Sequence, residues 1–258
     1  MRVFLFTALV SLLAPALFSQ TIEWEEAPQF EIALNGKADF SARAYQPTAS
    51  KPYMLLYIDN VKTPLLLELS TKKLTELSAT AVVAGREYTV TSKGIPAGKP
   101  VGNYTLKAGA TVFQYRGKSV SLRMKDALVG EVPLGVLLAH SPDYTMLRNA
   151  YKVKKAPLAF IKAYAKPVKI VVMFATWCPT CKRVVPRLLR ILQDAANPNI
   201  SARYIGIAMG GSEPQKELNE FGHDYPAFIV FKNGKEVGRL VGEPTVTIEE
   251  YLVNLLKK

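Results

Sequence analysis

Cys178 and Cys181 are the only cysteines in the 258-residue chain, and they stand two residues apart in Thr176-Trp177-Cys178-Pro179-Thr180-Cys181. Thiols at that spacing can carry out thiol–disulfide exchange: one attacks a disulfide as thiolate, and the other attacks the resulting mixed disulfide and frees the partner. The same spacing ligates zinc and, with a following histidine, carries haem. Both rivals lack their remaining groups. A structural zinc site takes about four ligands, but the chain offers no third cysteine and only His140 and His223. Lys182 occupies the position where the haem motif needs histidine. As a structural staple the pair would close too short a loop to stabilise much. The expectation is redox exchange through Cys178 and Cys181, with no metal and no organic cofactor.

The elements that must position this pair are legible on either side of it. Ile170-Val171-Val172-Met173-Phe174 is short and uniformly apolar, as in a strand covered on both faces. From Pro179 onward Val184, Val185, Leu188, Leu189 and Leu192 recur at three- and four-residue spacings, which predicts an amphipathic helix. Cys178 then lies at the helix N-terminus, where unpaired N–H groups and the dipole favour a thiolate, and Lys182 is expected to add a nearby positive charge. This reading makes Cys178 an exposed, low-pKa attacking thiol and carries Cys181 inward as the resolving one.

A strand followed by Trp-Cys-x-x-Cys-Lys, with Pro186 five residues past the second cysteine, resembles the active-site strand and helix of the thioredoxin superfamily. A second block, Tyr225-Pro226-Ala227-Phe228-Ile229-Val230-Phe231-Lys232-Asn233-Gly234-Lys235 with Gly242 beyond it, resembles that family's later hairpin. The resemblance spans about Lys152 to Lys258. It implies an α/β thioredoxin fold, a cis Pro226 facing the cysteines, and a substrate surface formed by Trp177, Tyr225 and Pro226. It also implies tuning of the dithiol by Pro179, Thr180 and Lys182. The chain departs from thioredoxins proper at Val172, where an acidic residue usually lies beneath the second cysteine, so the proton acceptor for Cys181 is not identified. Trp-Cys-Pro-x-Cys looks most like the exported reductive TlpA/ResA-like branch. Its members imply protein disulfide or dithiol substrates and a membrane electron-transfer partner. The alternatives are a disulfide-donating oxidase, or a non-catalytic partner-binding or chaperone module on the same scaffold.

The rest of the chain divides into a signal peptide at 1–19, a mainly β, sandwich-like domain of unknown role at 20–142, and the redox domain with its leading helices at 143–258. One basic residue, the apolar run Val3 to Leu13 and small residues at Ala14-Pro15-Ala16 read as a secretory signal, with cleavage after Ala16 or Ser19. The protein is therefore expected to be exported, periplasmic or equivalent, and soluble once cleaved. Short strands are expected at 30–34, 53–58, 64–69, 86–90, 110–115 and 119–124, with turns at Asn35-Gly36, Asp59-Asn60 and Arg116-Gly117-Lys118 and a glycine- and proline-rich loop over Lys93–Gly102. Tyr53, Tyr57 and Phe113 read as core residues, and His140 as a solvated loop residue.

Two short helices broken at Pro157 are expected over 142–166. A buried strand at 200–208, a helix from Ser212 through Glu220, a hairpin from Pro226 to Val241 and a closing helix through Ile248 and Leu255 complete a βαβαββα order. The net charge of +12 is concentrated in the redox domain, where residues 151–258 hold 17 basic and 9 acidic side chains. These spread over several elements without aromatic interleaving, which speaks against nucleic-acid binding. Arg187 and Arg190 are the candidates for a basic surface that draws acidic partners.

Overall fold

The computed structural model describes residues 20–58, 63–85, 89–211 and 215–258. The expected signal segment, the Asp59-Asn60 turn, the start of the strand expected at 86–90 and the helix start at Ser212–Pro214 lie outside the described residues.

The N-terminal unit is built from two antiparallel sheets. One has eight strands in the spatial order Lys99–Asn103, Lys73–Glu76, Leu65–Glu68, Tyr53–Tyr57, Arg43–Pro47, Thr21–Glu26, Thr89–Lys93, Val83–Ala84. The other has five, Thr105–Lys107, Ala110–Tyr115, Lys118–Met124, Phe30–Leu34, Lys37–Ala38. Ile32, Phe113, Val120 and Leu122 of the smaller sheet share a core with Met54, Leu56, Leu65 and Leu67 of the larger. The larger sheet also buries its other face, through Trp24, Leu55, Leu66 and Leu77. Cover on both sides explains why its central strands read Met54-Leu55-Leu56 and Leu65-Leu66-Leu67 rather than alternating. Asn35-Gly36 and Arg116-Gly117 carry positive φ at both central positions, the backbone of two-residue hairpin turns whose twist matches the flanking strands. The loop expected over Lys93–Gly102 is a strand in its second half. Lys99–Asn103 pairs with Lys73–Glu76, with a register shift between Pro100 and Gly102, and an edge position tolerates the proline.

The C-terminal unit carries a five-stranded sheet in the order Gly130–Glu131, Ile200–Gly206, Val168–Phe174, Ala227–Lys232, Lys235–Val241. Val168–Phe174 runs parallel to Ile200–Gly206 and antiparallel to Ala227–Lys232, and every residue in it except Lys169 is buried. The helices are α1 (Leu134–His140), α2 (Pro142–Ala150), α3 (Lys155–Ala163), α4 (Pro179–Ala195), α5 (Lys216–Phe221) and α6 (Ile248–Lys257). From residue 168 the order is the expected βαβαββα. The unit reaches back past residue 143, because Gly130–Glu131 pairs with Ile200–Gly206 and both Val132 and Leu137 enter its core.

Several local expectations need correction. The two helices expected over 142–166 are α2 and α3, and a further short helix, α1, precedes them. Pro157 does not break one: it sits in the first turn of α3, where a missing N–H leaves no intrahelical bond unmade. The Ile200–Gly206 strand is buried only over its second half, since its outer neighbour covers only Ile205 and Gly206. His140 ends α1 half-buried, with Nδ1 2.9 Å from Ser141 Oγ and Nε2 2.8 Å from the Asp126 carbonyl.

Candidate active site

The central strand delivers the chain to Thr176-Trp177, and α4 begins at once with Cys178 as its N-cap and Pro179 in its first turn. Proline fits there because its fixed φ is helical and it lacks an N–H that would go unused. The Cys178 thiol does the work a serine or aspartate does at other caps: its Sγ accepts the Cys181 N–H at 3.2 Å. Apolar Val184, Val185, Leu188, Leu189 and Ile191 anchor the helix in the core. They fix its N-terminus against the end of the strand.

The two thiols are free and chemically unequal. A hydrogen bond from Cys181, with backbone N–H groups of Cys181 and Thr180, holds the Cys178 pKa below the usual thiol value against opposing burial and the nearby Glu25 charge. Burial pushes Cys181 well above it, and the neighbouring Cys178 adds to the effect. Cys181 Sγ is completely buried and accepts the Ala175 N–H at 3.3 Å. This division makes Cys178 the more readily ionised thiol and Cys181 the one held more strongly protonated.

Two details differ from the exposed, lysine-activated thiol anticipated above. Cys178 is only 8 % exposed, tucked between the strand end and the helix. Lys182 does not face it. Its Nζ lies 3.0 Å from Glu26 Oε1 and 3.2 Å from Asp143 Oδ2, and the side chain is largely buried. Its charge is spent on those carboxylates, and the Cys181 hydrogen bond, with the backbone donors at the helix end, supplies the stabilisation instead.

Trp177 and Tyr225 are brought together, and Pro226 follows Tyr225 just before the Ala227–Lys232 strand. The Trp177 and Tyr225 rings meet edge to face with centroids 5.2 Å apart, and Trp177 Nε1 donates to the Ile207 carbonyl at 3.3 Å. The Tyr225–Pro226 peptide is cis, Pro226 is buried, and its carbonyl accepts the Gly242 N–H at 2.8 Å. Burial, with the charges of Cys178 and Cys181 after it, raises the Tyr225 pKa. Pro179 and Thr180 lie half-buried between the thiols. Arg187 and Arg190 do not form an open basic surface: Arg187 pairs with Glu243 at 3.0 Å and Arg190 with Asp194 at 2.8 Å.

Sequence reasoning missed the groups that surround the pair from outside the βαβαββα core. Glu26, at the end of the Thr21–Glu26 strand, binds both Lys182 and Arg43, the latter at 3.4 Å. Its signal was present, since Ile22, Trp24 and Glu26 share the inward phase of that strand, and a charge on a buried face demands a partner. Tyr144 of α2 is fully buried in the same core as the cysteines, and its hydroxyl has no hydrogen-bond partner among the described residues. Gln215 clips the loop that receives Trp177, accepting the Ala208 N–H and donating to the Gly206 carbonyl, both at 2.9 Å. Among the described residues no group of three or more His, Cys, Asp or Glu side chains is gathered for a metal. The clefts of about 580 Å³ at Pro167 and Val168 and about 230 Å³ between the two units at Glu26 and Lys182 include neither cysteine.

That arrangement agrees with comparison to known proteins. A family model described as thioredoxin matches residues 139–254. Thioredoxin-1 of Saccharomyces cerevisiae is 32% identical over 97 residues, 37% of this chain and 89% of that protein. A thioredoxin of Echinococcus granulosus is 30% identical over 103 residues, 39% of this chain and 91% of that protein. The flagellar outer-arm dynein 16 kDa light chain of Chlamydomonas reinhardtii is 27% identical over 90 residues, 35% of this chain but 58% of its own length. The chain belongs to the thioredoxin family, and thiol–disulfide redox chemistry on protein disulfides is what that family carries out in general. The family match begins at residue 139, so the β unit stands outside it.

Proposed function

We propose that the protein is an exported thiol–disulfide oxidoreductase that reduces protein disulfides through Cys178 and Cys181. The observation that carries this reading is the split between the thiols. Cys178 caps α4 and is favoured as thiolate, while Cys181 three residues on is buried and held protonated.

Cys178 thiolate attacks one sulfur of the partner disulfide; that S–S bond breaks, a mixed disulfide forms, and the departing sulfur is protonated. Cys181 then loses its proton and attacks Cys178 Sγ, expelling the second partner sulfur. Two electrons and two protons have passed from the dithiol to the partner, and a Cys178–Cys181 disulfide remains. The edge-to-face pair Trp177 and Tyr225 supplies an apolar platform beside the thiol, and the backbone before Pro226 is available for strand-like pairing with an extended substrate segment. Because the second step needs a proton acceptor and Val172 cannot provide one, water or the departing partner sulfur takes the Cys181 proton.

In an oxidising compartment such a reductase must be recharged by a dithiol donor at the membrane, as in the TlpA/ResA-like branch. The test is the equilibrium potential of the pair against a dithiothreitol or glutathione series. A value near or below about −270 mV supports the reductase; one near about −120 mV makes the protein a disulfide donor and overturns that direction.

A further inference from the structure

The cleft of about 230 Å³ between the two units is lined mainly by cations. Lys182, Arg183 and Arg187 reach it from α4 and Arg43 from the β unit, and Glu26 is the one carboxylate in the lining among the described residues. Leu147 and Ala150 of α2, with Tyr151 just after it, complete the wall. The Arg187 guanidinium stands 5.7 Å from the centre of the Tyr151 ring, whose hydroxyl donates to Glu249 at 2.8 Å. Arg43 is fixed in place by its Nη1, which donates to the Phe40 carbonyl at 2.8 Å and the Ala42 carbonyl at 2.7 Å.

The charges around this cleft do not balance. Glu26 is shared by Lys182 at 3.0 Å and Arg43 at 3.4 Å, and Lys182 also meets Asp143 at 3.2 Å. Glu243 is shared by Arg183 at 2.6 Å and Arg187 at 3.0 Å. Four cations therefore rest on three carboxylates, and one positive charge is left over. Water is largely excluded there, since the Arg183 side chain is 8% exposed and that of Lys182 13%. An unbalanced charge is costly in such surroundings, and an incoming anion relieves the cost. Arg43 and Arg187, 28% and 33% exposed, leave the cleft open to a solute.

We propose that the cleft between the units binds a small carboxylic acid, one carboxylate on a short apolar chain, through Arg43, Lys182 and Arg187. An excess of one charge calls for a monoanion, and the planar guanidinium groups of Arg43 and Arg187 match the geometry of a carboxylate. Leu147, Ala150 and Tyr151 offer the hydrocarbon its contact. The volume equals that of about eight waters in the liquid, room for an acid of about six carbons and too little for a drug-sized ligand. The site includes neither cysteine, so it stands apart from the redox reading. Because its walls come from both units, occupancy favours the docked arrangement by mass action.

The test uses the full-length protein at low salt with three probes: hexanoate, acetate as the carboxylate without the chain, and hexanamide as the chain without the charge. Saturation-transfer NMR gives the dissociation constants, and urea unfolding the linked stabilisation. Hexanoate should bind about tenfold more tightly than hexanamide, the range of charge-assisted hydrogen bonds. It should bind about threefold or more tightly than acetate through burial of part of its chain, and it should raise the urea midpoint. Arg187→Gln removes the surplus charge and should weaken hexanoate about tenfold. Ala150→Glu places the missing carboxylate on the cleft wall from within the chain. It should abolish hexanoate binding and raise the urea midpoint of the free protein, whereas Ala150→Gln should change neither. Ala150 is exposed, so these variants keep the test standing if Arg187→Gln unfolds the chain. No saturable binding of hexanoate, equal affinity for the three probes, or hexanoate binding that survives Ala150→Glu overturns the inference.

Discussion

Breaking the contact between Glu26 and Lys182 should uncouple the two units of the chain. Glu26 is 5% exposed and Lys182 13%, with 3.0 Å between Oε1 and Nζ. At that distance and an effective dielectric near 20, the gross attraction is about 5.5 kcal/mol, from which desolvation of both groups must be subtracted. Removing one partner of a buried pair typically costs about 3–5 kcal/mol, because the other charge is left stranded. Here each survivor keeps a second partner, Glu26 holding Arg43 at 3.4 Å and Lys182 holding Asp143 at 3.2 Å. Each single change, Glu26→Gln or Lys182→Met, should therefore cost about 2–3 kcal/mol, with a coupling energy of about 1–2 kcal/mol in the double-mutant cycle. The assay is urea unfolding followed by tryptophan fluorescence. Trp24 lies in the core of the β unit and Trp177 at the dithiol, so each Trp→Phe background reports on one unit. Wild-type transitions from the two reporters should coincide, and those of Glu26→Gln should separate. A coupling energy below about 0.5 kcal/mol, the range of an exposed pair, would refute the argument that this contact is a desolvated joint.

The same geometry says that Lys182→Met leaves the alkylation rate of Cys178 within about threefold while destabilising the protein, since a charge neutralised by two carboxylates contributes little to the thiolate; a drop of tenfold or more would return Lys182 to the activating role. Iodoacetamide at neutral pH should modify Cys178 and spare Cys181, with the Cys178 rate rising through a midpoint below about 8.5, and mass mapping after brief labelling checks it. The folded-state pKa of Cys181 is raised, so its contribution to stability is full below the ordinary thiol value of about 8.5 and is lost as pH climbs towards the folded value. Urea midpoints of the reduced protein should fall over that alkaline window, and Cys181→Ala should flatten the slope. Tyr144→Phe removes a hydroxyl that is buried without a partner and should raise stability by about 1 kcal/mol; a loss of stability would mean that the hydroxyl is bonded in solution. Cys181→Ser should accumulate a mixed disulfide with substrate on non-reducing gels, whereas Cys178→Ser should form none.

What could be read from the sequence follows the range over which each signal acts. The strand Val168–Phe174, the cap at Cys178 and the turn at Asn233-Gly234, where both residues have positive φ, are local. Each is marked by its own residue types, so apolar patterning and turn chemistry suffice. The same holds for α6, whose Thr247 and Glu250 close a capping box that precedes the apolar positions Ile248, Leu252 and Leu255. The β unit was only partly legible: its doubly buried strands Tyr53–Tyr57 and Leu65–Glu68 stand out as apolar runs, whereas short edge segments such as Lys99–Asn103 are specified by their neighbour's register rather than by their own residues. Lys182 shows the limit most clearly. Four residues from Cys178 on a helix N-terminus, it has the right type and spacing to activate the thiol, and only a residue 156 positions away, Glu26, diverts it. A long side chain has the reach to choose among partners, and the choice falls to whichever carboxylate is buried and needs a counter-charge most. Glu26, stranded on the inward face of its strand, is such a carboxylate. The charged residue on the apolar phase of Ile22-Glu23-Trp24-Glu25-Glu26 was thus the one sequence clue that the β unit docks on the active-site helix.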